Sequence, residues 1–477
     1  MPFDTDTIIS AVATLVGVLS VACIPAVLLR RKEAASTIAW ILTLVFIPVV
    51  GIVLFWFLGR DRVRRPVRRK ATTNLQVRHR ISAVAKLPAG VAFDRIIAGT
   101  HPDQRGVMRL ATHVGHLDPA GGNDVRFLLG AQDTYDAQLE AIEQAKDHIH
   151  LEYYIFWPDK TGRRFLDALV AAARRGVRVR LLYDGFGSRA LGRRVLAPLR
   201  EAGGHVAKFF PLDPIRRAWS INLRNHRKIM VVDGRVGFTG GINIGDQFLP
   251  WRDIHLRIEG PAVAHLQTVF VQDWFFVTRF ELVDPAFFPE VDAHGESVLQ
   301  IVQSGPDRTV DAVHRLFFGA IASARERVRI TTPYFVPDRA LLVALQTAAM
   351  RGLDVRLILP SESNHRVTFH AGRAFYDELL GAGVHIHECQ EEFVHTKAMT
   401  VDGQFATVGS ANVDVRSFRL NFELIAVLWD PHVVDGLDAI FEADLTRTKE
   451  VSLDQWRKRG LGTRLKEGVG RLCAPLL

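Results

Sequence analysis

One sparse pattern occurs twice in this chain. The first copy is His226-Arg-Lys228-Ile-Met-Val-Val-Asp233, trailed by Gly240-Gly241-Ile-Asn243. The second is His395-Thr-Lys397-Ala-Met-Thr-Val-Asp402, trailed by Gly409-Ser410-Ala-Asn412. At about 5% frequency per fixed residue type, one copy is rare by chance and two aligned copies are far rarer. In a strand, positions i and i+2 share a face, so His226 projects with Lys228 and His395 with Lys397. The apolar run Ile229–Val232 continues the strand and Asp233-Gly234 makes a hairpin turn. Gly240-Gly241 lets the backbone approach an anion closely, and Asn243 just beyond offers an amide donor.

Imidazole, ammonium and amide, once from each half, suit phosphodiester chemistry. One imidazole attacks phosphorus and forms a phosphohistidine. The other protonates the departing alkoxide, then deprotonates the incoming hydroxyl. Lys228, Lys397, Asn243 and Asn412 neutralise the non-bridging oxygens in the transition state. The candidate catalytic set is therefore His226, Lys228, Asp233, His395, Lys397 and Asp402, with Asn243 and Asn412 binding phosphate. No metal or other cofactor is called for, because the lysines take the electrostatic role. Asp233 and Asp402 follow the strand, and the plainer alternative is that they lock the turn or a neighbour rather than touch substrate.

An imidazole needs a group to hold it in the useful tautomer, commonly a carboxylate. Asp253 lies 27 residues after His226, and Glu423 lies 28 after His395. The near-equal spacing makes these two the candidate partners of the histidines. The alternative is a pair of ordinary strand-surface acids.

The elements that position these groups also repeat. Val125–Leu129, His148–Phe156 and Val177–Tyr183 read as strands, with helices at Tyr135–Lys146 and Arg164–Arg175 between them. The second half follows with strands Val298–Val302, Arg327–Val336 and Leu353–Leu359, and helices Thr309–Ala324 and Ala340–Met350. Arg-Arg-Gly-Val-Arg-Val-Arg-Leu-Leu in one half answers Met-Arg-Gly-Leu-Asp-Val-Arg-Leu-Ile in the other. Alternating strands and helices imply α/β units, each a sheet covered by helices. Two units packed with pseudo-two-fold symmetry would share one site at their interface.

Composition narrows the partners. The chain has 477 residues, 48% hydrophobic and 23% charged, so it can bury a substantial core. Lys and Arg number 60 against 51 Asp and Glu, a net charge of +9 that favours an anionic partner. Three cysteines exclude a disulfide scaffold and a Cys-rich zinc site.

No charge falls between Thr7 and Leu29, a run long enough as a helix to cross a hydrocarbon core. The basic turn Arg30-Arg31-Lys32 follows, then a second uncharged run, Ala34–Gly59, with Trp40 and Trp56 near its ends. Asp4 and Asp6 precede the first run where a signal peptide carries basic residues, so a retained pair of membrane helices is expected. Pro48 and Gly51 interrupt the second run and leave a re-entrant or shallow path open. Arg60, Arg62, Arg64, Arg65, Arg68, Arg69 and Lys70 place the bulk of the chain on the cytoplasmic face, next to anionic lipid heads. The tail from Trp456 mixes basic residues with Leu461, Leu465, Val469 and Leu472, as a basic amphipathic helix on anionic lipid would, although four glycines weaken the helix reading. Phe209-Phe-Pro-Leu and Arg216-Arg-Ala-Trp-Ser could admit acyl chains or could be core.

The doubled His-x-Lys-x4-Asp motifs with trailing Gly-Gly/Ser-x-Asn resemble the phospholipase D superfamily. Leu151-Glu-Tyr-Tyr-Ile-Phe156, Thr332-Pro-Tyr-Phe-Val-Pro337, Gly409–Ser417 with Asn421-Phe-Glu423, and the closing Arg471–Leu477 look like its bacterial cardiolipin synthase branch. The resemblance implies two tandem phospholipase D-like α/β sandwich domains behind two membrane helices. It implies transfer of a phosphatidyl group between two phosphatidylglycerol molecules, giving cardiolipin and glycerol, at the cell (inner) membrane. By the same carry-over His226 is the nucleophile and His395 the acid/base. The expected division is an anchor over 1–59, a basic linker over 60–115, catalytic domains over 116–290 and 291–450, and a basic tail over 451–477. Hydrolysis of phospholipids or other phosphodiesters is the competing activity, and the membrane pair favours lipid over nucleic acid.

Overall fold

A computed structural model describes residues 5–29, 34–55, 70, 80–81, 90–210, 223–308 and 310–474. The basic turn 30–33, the basic run 60–69 and the segment 216–220 lie outside the described residues. The chain divides into two units, residues 1–66 with 213–221, and residues 67–212 with 222–477.

In the first unit, Thr5–Leu28 is one helix of 24 residues. The second apolar run is two helices, Ala34–Phe46 and Pro48–Leu54. They part at Ile47, since Pro48 has no N–H to continue the ladder and takes the first helical position instead. Val27, Leu44 and Phe55 form a small core, with Trp40 edge-on to Phe55 at 5.6 Å. Leu15, Val18, Leu19, Val21, Ile38 and Leu42 point outward. Among the described residues no helix is long and apolar enough to cross a membrane.

The second unit is built on two equivalent sets of strands. The first half supplies β1 (Ala120–Leu129), β2 (His148–Tyr153), β3 (Arg178–Asp184), β4 (His205–Phe209), β5 (Arg224–Asn225), β6 (Lys228–Val232), β7 (Val236–Gly240) and β8 (Ile254–Glu259). The second supplies β9 (Ser297–Ser304), β10 (Arg327–Thr331), β11 (Phe335–Val336), β12 (Asp354–Pro360), β13 (His385–Cys389), β14 (Ala398–Val401), β15 (Phe405–Gly409), β16 (Val413–Asp414), β17 (Asn421–Leu428) and β18 (Thr448–Glu450). From the join outward the first half runs β1-β8-β7-β6-β2-β3-β4, and the second runs β9-β17-β15-β14-β10-β12-β13-β18. Antiparallel β1 and β9 make the join. The expected α/β halves with internal symmetry are thus present, and each half joins antiparallel inner strands to a parallel set farther out, the second half adding antiparallel β18 at its edge.

Alternation along β6 explains why its sequence is apolar throughout. Met230 and Val232 face the helices Gly130–Gln144 and Lys160–Arg174 of their own half. Ile229 and Val231 face the opposite side, in a core with Leu256, Ile258 and the helix Val263–Thr278 of their own half that continues into Ala406, Val408, Leu424 and Ala426 of the other. Burial on both faces is what a continuous apolar run signifies. The expected single strand Arg327–Val336 is instead β10 and β11, because Pro333 between them cannot join a ladder. Phe209 and Phe210 are buried against Phe276 and Phe422, which places this pair in the core.

Candidate active site

Each His-x-Lys motif enters its hairpin from a segment stitched to the opposite half. Arg224 and Asn225 pair in parallel with Asn421 and Phe422, and the His226 N–H donates to the Phe422 carbonyl at 2.9 Å. The counterpart is a parallel bridge between Arg252 and Val394, with the His395 N–H donating to the Arg252 carbonyl at 2.7 Å. Each histidine therefore sits beside a segment of the other half, next to the carboxylate at or just before a strand there, Glu423 on β17 and Asp253 ahead of β8.

The carboxylates are exchanged between halves. His226 Nδ1 lies 3.0 Å from Glu423 Oε2 and 3.0 Å from the Ser410 carbonyl. His395 Nδ1 lies 2.6 Å from Asp253 Oδ2. With its proton on Nδ1 facing a carboxylate, each ring leaves Nε2 as the basic atom. Near-equal sequence spacing identified the two acids as equivalents. It did not reveal that each serves the other half's imidazole.

The lysines fold back on their own motifs. Lys228 Nζ donates to the His226 carbonyl at 2.7 Å, and Lys397 Nζ donates to the His395 carbonyl. Lys397 Nζ also lies 3.8 Å from Asp253 Oδ2. An ammonium has three donors, so this anchoring leaves others for a phosphate. Aromatic rings wall the imidazoles. Tyr154 stands edge-on to His226 at 4.7 Å, while Trp251 and Tyr334 lie 4.7 and 6.5 Å from His395.

Burial and charge set the protonation states. Burial holds His226 below its usual range, with Glu423 opposing. Burial and then Lys397 push His395 down to about 3 against the pull of Asp253. Burial pushes Lys228 down to about 7, Glu423 opposing and Lys397 adding to the fall. Burial lowers Lys397 as well. Burial alone would raise Asp253, but Lys397 and His395 override it and hold the carboxyl below its ordinary range. Glu423 is likewise held low by His226 and Lys228 despite its burial. Two neutral imidazoles thus face two carboxylates, and charges of one half act on groups of the other.

Asp233 and Asp402, grouped by sequence with the catalytic residues, have surroundings that match the plainer alternative of a locked turn. The Asp233 carboxylate accepts the N–H groups of Lys146, Asp147 and His148 at 2.8–2.9 Å. Asp402 does the same for Arg325, Glu326 and Arg327 at 2.8–2.9 Å. Each lies at the far end of a hairpin strand, about 16 Å along β6 from Lys228 in the first case. Asp233 and Gly234 have φ of 52° and 63°, and Asp402 and Gly403 have 53° and 64°, as a two-residue type I′ turn requires. These aspartates clamp the hairpin to the start of the neighbouring strand.

Asn243 is buried, and its Oδ1 accepts the Ile155 N–H at 3.2 Å. The buried Asn412 Oδ1 has no partner among the described residues. Gly241 serves Asp253 rather than an anion, since a Cβ there would lie 2.2 Å from Asp253 Oδ1. At the equivalent position Ser410 donates its hydroxyl to Glu423. The shorter acid thus meets a glycine in its own half and the longer one a serine.

Sequence reasoning missed the ionic layer beneath His226. Arg227 is fully buried, pairs with Asp273 and donates to the carbonyls of Glu423 and Ser304, each at 3.2 Å. Lys70 reaches the same layer, 2.7 Å from Asp273 and 3.1 Å from Asp307. The visible signal was an arginine inside an otherwise apolar motif, which burial obliges to find acids.

Comparison with known proteins bears on this geometry. The family model described as cardiolipin synthase, PLD-like domain, matches residues 139–274 and 317–445. Cardiolipin synthase 2 of Bacillus anthracis is 38% identical over 462 residues, covering 94% of this chain and 88% of its own. The chain belongs to the phospholipase D-like cardiolipin synthase family. Another member, the major cardiolipin synthase ClsA of Bacillus subtilis (strain 168), is 36% identical over 464 residues, covering 94% of this chain and 95% of its own. A phospholipase D-nuclease N-terminal model matches residues 18–60. The phosphatidylserine synthase of Haemophilus influenzae Rd KW20 shares the fold, with a TM-score of 0.62 at 14% identity, covering 78% of this chain and all of that one.

Proposed function

We propose that this family member transfers a phosphatidyl group from one phosphatidylglycerol to the primary hydroxyl of another, releasing glycerol and forming cardiolipin. The observation that carries the reading is the exchanged pairing of two neutral imidazoles with two carboxylates, flanked by both lysines. Entry of a phosphodiester anion offsets the ammonium charge that disfavours protonation of His395, so proton uptake accompanies binding. Nε2 of His226, the more exposed ring, attacks phosphorus. The P–O bond to glycerol breaks, and the alkoxide takes a proton from His395. A hydroxyl of the second lipid then gives its proton to His395 and attacks the phosphohistidine. The P–N bond breaks and both rings return to their starting states. Lys228, Lys397, Asn243 and Asn412 hold the non-bridging oxygens through both steps.

The helices of residues 5–55 attach the enzyme to the cell membrane, with the catalytic unit on the cytoplasmic face. Outward-pointing Leu, Val and Ile side chains and the matched N-terminal family model support this. The boundaries read from the sequence, with catalytic domains over 116–290 and 291–450, suit the two strand sets. The test is purified protein in detergent given phosphatidylglycerol alone. Cardiolipin and glycerol in equal amounts are expected. Phosphatidic acid in place of cardiolipin would make the enzyme a hydrolase.

A further inference from the structure

The last helix, Leu461–Cys473, presents two unlike edges. Glu467 and Gly470 are buried against the protein. Glu467 pairs with Arg459 at 2.8 Å, and Arg459 also meets Asp377 at 2.5 Å while stacking on the buried Trp456. Gly470 lies so close to the helix Arg366–Arg373 that a Cβ would come within 2.6 Å of the Ala371 nitrogen. Arg471 adds a 2.7 Å pair with Glu378. The glycines that weakened the helix reading thus include one that docks it.

Leu461, Leu465, Val469 and Leu472 recur at steps of four, four and three, which puts them on one stripe opposite the docked edge. They are 70%, 61%, 63% and 81% exposed. Arg464 and Lys466 are exposed on either side of the stripe, and Arg457 and Lys458 are exposed just before the helix. The segment's one acid within the helix, Glu467, is already paired. An apolar stripe with basic flanks matches an anionic bilayer surface in both hydrophobicity and charge.

The helix is also connected to the candidate site. Its support, Arg366–Arg373, begins two residues after Asn364, with His365 as its N-cap, and the Asn364 Oδ1 accepts the Tyr334 hydroxyl at 2.7 Å. Tyr334 faces the His395 ring. Farther along that support, Gly372 packs against the Phe335 carbonyl, where a Cβ would lie 2.5 Å away.

We propose that the helix Leu461–Cys473 lies in the headgroup region of an anionic bilayer, a second membrane contact that fixes the His395 wall of the catalytic unit against its lipid substrate. The inference rests on the phosphatidyl-transfer reading only in its activity arm.

The experiment uses the full chain with Cys23→Ala, Cys389→Ala and Cys473→Ala, carrying Leu465→Cys or Leu472→Cys labelled with an environment-sensitive fluorophore. It is reconstituted in vesicles of phosphatidylglycerol and phosphatidylcholine. Quenching by acyl-chain spin-labelled lipid, with protection from aqueous iodide, is expected at both positions. Iodide quenching without lipid quenching overturns the proposal. Protection from both quenchers, with self-association that rises with protein concentration, assigns the stripe to a second copy and also overturns it. In the activity arm, Leu461→Ser/Leu465→Ser/Leu472→Ser should retain turnover in detergent micelles but lose about tenfold on vesicles. Equal turnover on vesicles counts against the proposal. Absence of turnover by the parent enzyme in micelles would instead contradict the proposed function, and the quenching result stands apart from it.

Discussion

Exchanged carboxylates make a prediction that an arrangement within each half does not. Glu423→Gln keeps the shape beside His226 and removes the charge, and Asp253→Asn does the same for His395. A hydrogen bond to a charged group contributes about 1.5–3 kcal/mol, so losing it in the transition state lowers kcat by about 10- to 150-fold. Asp253→Asn should fall at the upper end, because Asp253 also balances Lys397 at 3.8 Å. KM should change little, since neither acid is placed to touch lipid. The decisive assay is nitrogen NMR of the labelled imidazoles. Each carboxylate raises the proton affinity of the ring it faces, so Glu423→Gln lowers the pKa of His226 and leaves His395 nearly unmoved. Asp253→Asn does the reverse. If Glu423→Gln instead moved His395, the exchanged pairing would be wrong and the coupling between halves would lose its physical basis.

Other outcomes can be checked separately. Asp233→Ala or Asp402→Ala leaves three backbone donors without their acceptor and puts alanine at a positive φ, costing about 2–4 kcal/mol. Denaturant midpoints should fall while kcat of the folded fraction stays near the parent value. Lys228 must carry a proton to neutralise phosphate, and in the empty site it holds one only up to about pH 7. The kcat/KM profile should therefore decline above that pH, and Lys228→Arg should remove the decline. The sign for stability is opposite: between about pH 7 and 10.5 the unfolded chain binds this proton and the folded one does not, so this group makes stability rise with pH. Asp273 is held down to about 2, burial being outweighed by Arg227 and Lys70. Its contribution is complete above about pH 4 and is lost as pH falls towards 2, and Asp273→Asn should flatten that limb of the Tm profile. Gly241→Ala should displace Asp253 and cut turnover at least about tenfold, whereas Ser410→Gly should be milder.

The chemistry was legible because side-chain types repeated at fixed offsets, and the halves because strand and helix periods repeated around them. The pairing partners were not. Sequence spacing shows that β8 and β17 are equivalents, but which imidazole each acid meets depends on Arg224–His226 crossing to β17 and Val394–His395 crossing to Arg252. Asp233 and Asp402 share the motif's periodicity because each hairpin needs the same turn and clamp, so their recurrence reports folding rather than catalysis. Gly241 was read as room for an anion. Its space is filled by Asp253, a contact set by the strand that follows. Lys70 read as the last cation of a basic run lying next to anionic lipid heads. Only the buried acids Asp273 and Asp307 of the catalytic unit reveal its place.

The central claim is that both imidazoles act in turn on one phosphorus atom. Rapid quenching of the enzyme with phosphatidylglycerol labelled in the phosphate, followed by mapping of the modified peptide, tests it most directly. One phosphatidyl group per chain is predicted, on His226 and none on His395, with the adduct lost in His226→Ala. Label on both rings of one chain, or turnover persisting after His226→Ala, would contradict the account.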